Sequence, residues 1–280
     1  LDNLAIAGGC GMNSVANGKV LLNTPFKKIY VQAASGDAGG AVGAALTTWH
    51  SVGGEKAKQR ISSHDHAYWG PSFSNDYIGN LLKSQKSKII KENCSIENFS
   101  EISKLVQMTA TEIAKGKVIG WFQGRMEWGP RALGNRSIVC DPRRIDMKDI
   151  LNLKIKRRES FRPFAPSVID SAVSEWFEQS DDVPFMMQVY QIKKNKRPEI
   201  PAVTHVDGSG RLQTVNEKTN PRYYALINEF KNLTGIPMVL NTSFNENEPV
   251  VCKPEEALET FLRTKMDLLV LGDWIVKRIN

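Results

Sequence analysis

Four cysteines in 280 residues, Cys10, Cys94, Cys140 and Cys252, stand far apart with no C-x-x-C pair. That spacing excludes a disulfide framework and a zinc knuckle, and it fits reduced thiols in a cytoplasmic protein. Histidine is equally scarce: His50, His64, His66 and His205 form no HExxH. The pair His64 and His66, in SSHDHAYWGP ahead of Gly70-Pro71, reads as a polar loop. No Ser-His-Asp order, no pair of catalytic carboxylates and no Walker glycine-lysine loop is evident, so covalent catalysis has no obvious nucleophile. Apolar runs are short as well. The longest, such as LLVLG at 268–272, fall far below the roughly 20 residues of a membrane helix.

What is present is a globular composition, 41% hydrophobic, with a net charge of +7 that favours an anionic partner. Charge alone does not choose between RNA, nucleotides and phosphorylated metabolites, and the clusters KIKRR (154–158) and KKNKR (193–197) read equally well as solvated faces. The chain starts at Leu1 with an apolar run entering a glycine turn, which gives the expectation of a C-terminal fragment of a longer protein.

Three regions follow. Residues 1–60 hold two glycine-rich turns, AGGCGMN after a strand at 4–7 and SGDAGGAVGAAL after a strand at 29–32. Residues 61–99 are polar and uneven, a connector with one or two short helices. From residue 100 the pattern becomes regular: a helix over 102–113 capped by Ser100, a strand at 118–122, a helix from Asn220-Pro221 to Gly235, a strand at 237–240, a helix from Pro254, and a strand LLVLGDWIV. Repeated helix-to-strand alternation predicts an α/β fold.

Several stretches carry chemistry. GRMEWGPRALGNRS (124–137) leaves the end of the 118–122 strand with Arg125, Arg131 and Arg136 among glycines and a proline, where planar guanidinium groups suit phosphate or carboxylate. In SFRPFAPS, Phe161 and Phe164 flank Arg162 and offer either a stacking brace for its guanidinium or a platform for a base. Gly8, Gly9 and Gly11 expose backbone N–H groups past a strand, and Asn13 adds an amide for a ribose or phosphate. Asp37, between Gly36 and Gly39, reads either as a helix cap or as a metal ligand or phosphate-site acid. THVDGSGRLQTV crowds Asp207, Ser209 and Arg211 about a turn, with His205 read as a strand residue in preference to a ligand contact. NTSFNENEP sets Asn241, Thr242, Ser243 and Asn245 just past a strand, compact polar groups for phosphate or ribose. Together they point to an arginine-rich pocket that orients phosphates and stabilises charge during group transfer.

Seven of these segments, LAIAGGCGMNSVANGKV, IYVQAASGDAGGAVGAAL, YWGPSFSNDYI, GWFQGRMEWGPRALGNRSIVCDPR, FRPFAPSV, HVDGSGRLQTV and GIPMVLNTSFNENEPVV, follow one another as in the O-carbamoyltransferases of nodulation and antibiotic tailoring, which the whole chain resembles. The resemblance implies a YrdC-like twisted mixed sheet with helices at 100–280. It also makes 1–60 the C-terminal part of a Kae1-like domain of actin/Hsp70 type, with 61–99 as connector. It implies formation of carbamoyl adenylate from carbamoyl phosphate and ATP with release of pyrophosphate, then transfer of the carbamoyl group to a hydroxyl of a small-molecule or sugar acceptor.

By the same resemblance Arg125, Arg131, Arg136 and Arg162 carry the chemistry, Asn135, Ser137, Asn241 and Ser243 join them around the nucleotide, and Asp37 is a metal ligand in the transfer site. The full-length enzyme would use a divalent metal, Fe or Mg. Its other ligands in the family are an H-x-x-x-H pair, which this chain lacks, so the metal should not be held tightly here and activity should be limited to the adenylation step. The implied partners are carbamoyl phosphate, ATP, a hydroxyl acceptor and the rest of its own chain, with no membrane. The alternative is a basic YrdC-like RNA-binding module without catalysis. Arginines on turns beside Asn and Ser, without an aromatic stripe, make nucleic acid the weaker expectation.

Overall fold

A computed structural model describes residues 1–58 and 65–279, so the His64 reading lies outside the described residues. The chain opens with strand β1 (Asn3–Ile6), helix α1 (Ser14–Asn23) and strand β2 (Lys28–Val31), then runs into helix α2 (Gly40–Val52) and the short α3 (Gly54–Ala57). β1 and β2 pair in parallel as a two-stranded sheet. The side chain of Asn13 accepts from the Ala16 N–H at 3.1 Å and so caps α1.

Helices α4 (Asn75–Ser84) and α5 (Lys86–Lys91) occupy the polar connector, and β3 (Cys94–Asn98) at its end is a strand of the main sheet. That sheet has eight strands in the order β3-β12-β11-β4-β5-β10-β6-β9. Its members are β4 (Ile119–Phe122), β5 (Arg136–Cys140), β6 (Ala165–Ile169), β9 (Gln213–Val215), β10 (Met238–Ser243), β11 (Leu268–Leu271) and β12 (Trp274–Arg278). β11 runs parallel to β4 and β6 parallel to β9, the other neighbours being antiparallel, so the sheet is mixed as the fold class predicts. Every residue of β4, β5, β6 and β11 is buried, which explains the unbroken apolar character of β4 and β11: a strand covered on both faces has no solvent side to alternate toward.

Helices α6 (Ile102–Ala114), α9 (Pro221–Thr234) and α10 (Pro254–Arg263) share one apolar core with this sheet, to which the small α7 (Met147–Asp149) and α8 (Val173–Trp176) also contribute, and β7 (Tyr190–Gln191) pairs with β8 (Ser209–Gly210) as a separate two-stranded sheet. The α9 boundaries follow from local chemistry. Asn220 accepts from the Tyr223 N–H at 3.3 Å, Pro221 sits in the first turn, and Gly235 takes the left-handed conformation at φ 79°. α6 starts one residue later than its serine suggests, on Glu101, without a side-chain cap. The segment LLVLGDWIV, read as one strand, is a hairpin: Gly272 at φ 56° turns the chain and β11 pairs with β12 in antiparallel register, Leu271 facing Trp274. Among the described residues no helix is long and apolar enough to cross a membrane.

Candidate active site: an arginine cleft on the central strands

The C-terminal ends of β4 and β10 and the N-terminal ends of β5 and β6 meet at one edge of the sheet, with Ser243 opposite Ser137 and Asn241 between Val139 and Ala165. The loop 123–135 between β4 and β5 lies over that edge. Its shape rests on Glu127, 6% exposed, whose Oε1 accepts from the backbone N–H of Leu133 at 2.7 Å, Asn135 at 2.7 Å and Arg136 at 3.2 Å. Gly134, at φ 101°, lies against the Tyr223 ring, where a Cβ would come within 2.1 Å of it.

A cleft of about 280 Å³ opens beside this loop. Arg131, Arg158, Arg162 and Arg211 line it, with Asn241, Thr242 and Ser243 from β10, and no carboxylate belongs to its wall. Arg211 has no hydrogen bond or ion pair among the described residues, and its Nε is buried without an acceptor. Burial holds its guanidinium below the usual arginine range, and the charges of Arg131 and Arg158 push it further down. Burial depresses Arg131 in the same direction, and burial with the nearby Arg162 depresses Arg158. Like charges gathered in one cleft suit an anion, because a bound oxyanion would relieve both the repulsion and the lost hydration.

The arginines are held from outside the cleft. Arg158 donates from Nε to Asn152 Oδ1 at 2.8 Å and lies 5.0 Å from the centre of the Phe164 ring. Arg162 pairs with Glu159 at 3.0 Å, and Arg131 reaches the Met12 carbonyl at 3.4 Å. A π-helical turn, Ile150–Ile155, leads into this segment, and Arg157 follows in the left-handed region at φ 44°, paired with Glu246 at 2.9 Å. Between them Lys156, 2% exposed, donates to the Ser243 carbonyl at 2.6 Å, the Asn245 carbonyl at 2.7 Å and Asn245 Oδ1 at 2.6 Å. Burial, reinforced by Arg158 and opposed by Glu248, brings this ammonium down to about 7. It fixes the Ser243–Asn245 turn from behind.

The expected convergence of Arg125, Arg131, Arg136 and Arg162 is therefore corrected. Only Arg131 and Arg162 share the cleft. Arg136 is fully buried: its Nη atoms donate to the carbonyls of Gln123, Gly124, Asn135 and Pro71, and the group sits 3.6 Å above the centre of the Phe122 ring. It is internal scaffolding. Arg125 donates to the Trp69 carbonyl at 2.8 Å and lines a second, larger cleft of about 640 Å³ together with Asn135. That cleft's other arginine, Arg222, is neutralised by Asp273 at 2.9 Å, so no unpaired cluster forms there. Asn135 spends its amide on the Arg125 carbonyl and the Asn220 side chain, and Ser137 accepts from the Gly134 N–H inside the sheet edge.

Gly8, Gly9 and Asn13 do not line the arginine cleft; Asn13 is an exposed cap and Gly8 donates its N–H to the Ser35 carbonyl. Asp37 is exposed, makes no capping bond, and borders an apolar groove of about 500 Å³ with Met12 and Trp128. Pro130 borders both this groove and the arginine cleft. Among the described residues no group of three or more His, Cys, Asp or Glu side chains is arranged to hold a metal ion. Asp37 by itself does not fit a resident divalent cation.

Arg158 and Lys156 are missing from the sequence reading as site residues, and Arg211, a candidate there in THVDGSGRLQTV, is not grouped with the other arginines. KIKRR looked like a solvated face, and the aromatic brace expected for Arg162 goes to Arg158, while Phe161 is 80% exposed. The available signal was the proximity of Arg158 to FRPF and of Arg211 to a rigid turn, in which Asp207 Oδ1 accepts from the Ser209 N–H at 3.0 Å.

Comparison with known proteins adds the following. The family described as "Carbamoyltransferase C-terminus" matches residues 110–278, and "Carbamoyltransferase N-terminus" matches residues 1–46. Nodulation protein NolO of Bradyrhizobium diazoefficiens is 43% identical over 282 residues, covering 99% of this chain and 50% of its own. An uncharacterised protein of Synechocystis is 43% identical over 301 residues, covering 99% of this chain and 48% of its own. The chain thus spans about half the length of these curated relatives. E. coli YciO overlaps 61% of this chain and 78% of its own at a TM-score of 0.43 and 19% identity.

Proposed function

The chain belongs to the carbamoyltransferase family, and from that premise we propose that its arginine cleft forms carbamoyl adenylate from carbamoyl phosphate and ATP. The complete protein then passes the carbamoyl group to a hydroxyl of a small-molecule or sugar acceptor. One observation carries the reading: four guanidinium groups line a single cleft without a carboxylate, and Arg211 has no partner among the described residues. Such a cleft suits a small ligand with several negative oxygens.

Atom balance sets the order of events. Water cleaves carbamoyl phosphate to carbamate and inorganic phosphate. A carbamate oxygen then attacks the α-phosphorus of ATP, and the bond to the bridging oxygen breaks to expel pyrophosphate. Both steps develop charge on phosphoryl oxygens, where fixed donors act most strongly. Arg131, Arg158 and Arg211 are suited to clamp those oxygens. Arg162, shared with Glu159, closes the rim, and Ser243, steadied by Lys156, offers a hydroxyl from the strand side. The apolar groove at Asp37, which shares Pro130 with the cleft wall, is suited to delivery to the acceptor. Reading the chain as an RNA-binding module draws no support from the arrangement, because a strand needs an open basic track and these groups line about 280 Å³.

Exchange of radiolabelled pyrophosphate into ATP tests the proposal. The folded chain is expected to catalyse it only when carbamoyl phosphate is present, and Arg211→Ala to slow it about ten-fold to hundred-fold. Folded protein without exchange above background overturns the adenylation reading.

A further inference from the structure

Asn241 stands out among the polar groups of the arginine cleft. It is 1% exposed on β10, and its Oδ1 is buried with no hydrogen-bond donor, whereas its Nδ2 faces three acceptors: the Ala132 carbonyl at 3.0 Å, Ser167 Oγ at 2.9 Å and Gln213 Oε1 at 3.2 Å. The amide orientation is not arbitrary. Gln213 Nε2 donates to the Leu133 carbonyl at 2.8 Å, which turns Gln213 Oε1 toward Asn241 and Ser167, and Ser167 Oγ donates to that same oxygen at 2.6 Å. Reversing Asn241 would set its oxygen against Ala132 O and Gln213 Oε1. The network therefore leaves Asn241 Oδ1 buried and, among the described residues, without a donor, on a residue that lines a cleft whose charged groups are all donors.

Resting on the proposed use of carbamoyl phosphate, we infer that Asn241 is the residue that selects the carbamoyl group, its Oδ1 accepting a hydrogen bond from the carbamoyl N–H while the arginines hold the phosphate. The pairing explains why an acceptor is retained among cations. Phosphate oxygens need donors only, and the sole part of a carbamoyl phosphate molecule that can give a proton to a carbonyl is its NH₂. Acetyl phosphate has the same charge and nearly the same shape, with a methyl group in that place, and leaves the buried oxygen unpaired. A site built to pair a buried polar atom rejects the ligand that cannot pair it.

Calorimetric titration of the chain with freshly dissolved carbamoyl phosphate, acetyl phosphate and inorganic phosphate, without ATP, tests this. The wild-type chain is expected to bind carbamoyl phosphate about ten-fold to hundred-fold more tightly than acetyl phosphate. In Asn241→Leu that ratio is expected to fall to about one, through loss of carbamoyl phosphate affinity with acetyl phosphate little changed. A merely structural role for Asn241 would weaken all three ligands together and keep the ratio, which overturns the inference. If Asn241→Leu does not fold, the wild-type ratio decides alone. Equal, tight binding of both acyl phosphates sinks the role of Asn241 and leaves the cleft assignment standing. If neither acyl phosphate binds better than inorganic phosphate, the cleft assignment itself falls.

Discussion

Single residues of one type do opposite work here, and burial with partners decides which. Arg211 has a charge without an acceptor and two arginine neighbours, so its removal relieves repulsion in the free protein. Arg211→Ala is expected to leave unfolding free energy within about 1 kcal/mol of wild type in urea melts while phosphate affinity falls about ten-fold or more. Arg136 is the reverse case. Arg136→Ala removes donors from the carbonyls of Gln123, Gly124, Asn135 and Pro71 and opens a void above Phe122, and should lose about 3 kcal/mol or more in the same melts. Sequence alone could not separate them: both lie in one glycine-rich loop, and only the fold turns Arg136 inward. Lys156 adds a pH signature. Its ammonium is brought down to about 7 from 10.5. Below about pH 7 both folded and unfolded chains carry the proton, and the burial penalty stands in full. Between the two values the unfolded chain keeps a proton that the folded chain has released, so stability rises with pH, by up to about 1.4 kcal/mol per unit. Urea midpoints that rise from about pH 6.5 to about pH 9 in wild type, against a flatter course in Lys156→Met, are the expected result; parallel curves would refute it.

At the scale of elements, what was legible is what local chemistry dictates. α9 announces itself by Asn220, Pro221 and Gly235, and the buried strand β4 by its unbroken apolar run. What was not legible depends on pairing. LLVLGDWIV is continuous in hydrophobicity, and only antiparallel register reveals the turn at Gly272. Asn241–Ser243 belong to β10 itself, because a central strand can carry polar groups where its end meets a ligand cleft. The loop 123–135 is the most informative element. Two of its N–H groups, with that of Arg136 at the start of β5, converge on one carboxylate oxygen of Glu127, a residue with no recognisable role in the sequence. Glu127→Ala removes that acceptor and is expected to cost about 3 kcal/mol in chemical denaturation and to weaken phosphate binding through Arg131, whereas Glu127→Gln, which keeps an oxygen in place, should lose about half as much or less. Equal losses in the two variants would show that the loop does not depend on this acceptor.

Across the whole molecule the two glycine-rich turns of the first 52 residues belong to a segment that docks on the sheet-bearing part rather than building its own cleft. The seam is specific: Asn17 Nδ2 donates to the Met187 carbonyl at 2.9 Å, the Val189 N–H donates to the Ser14 carbonyl at 3.1 Å, and Val31 and Ala33 share an apolar cluster with Leu133, Ala165 and Met186. Met186 and Ala165 also line the arginine cleft, so the seam and the site share a wall. Such contact between distant segments leaves no trace in periodicity, and so it was absent from the sequence reading. Gly18 is the point where it can be broken. A Cβ there would lie 2.0 Å from the Val189 carbonyl oxygen, in a helix that would otherwise gain about 0.5–1 kcal/mol from alanine. Backbone cannot yield like a side chain, so Gly18→Ala is expected to lift α1 off Val189 while the eight-stranded sheet stays folded. Hydrogen exchange reads this directly: the Val189 amide should exchange at least about ten-fold faster, with the amides of β4 and β11 unchanged. Protection at Val189 equal to wild type would mean that α1 is not held by this seam, and that its packing beside the cleft is incidental to the site.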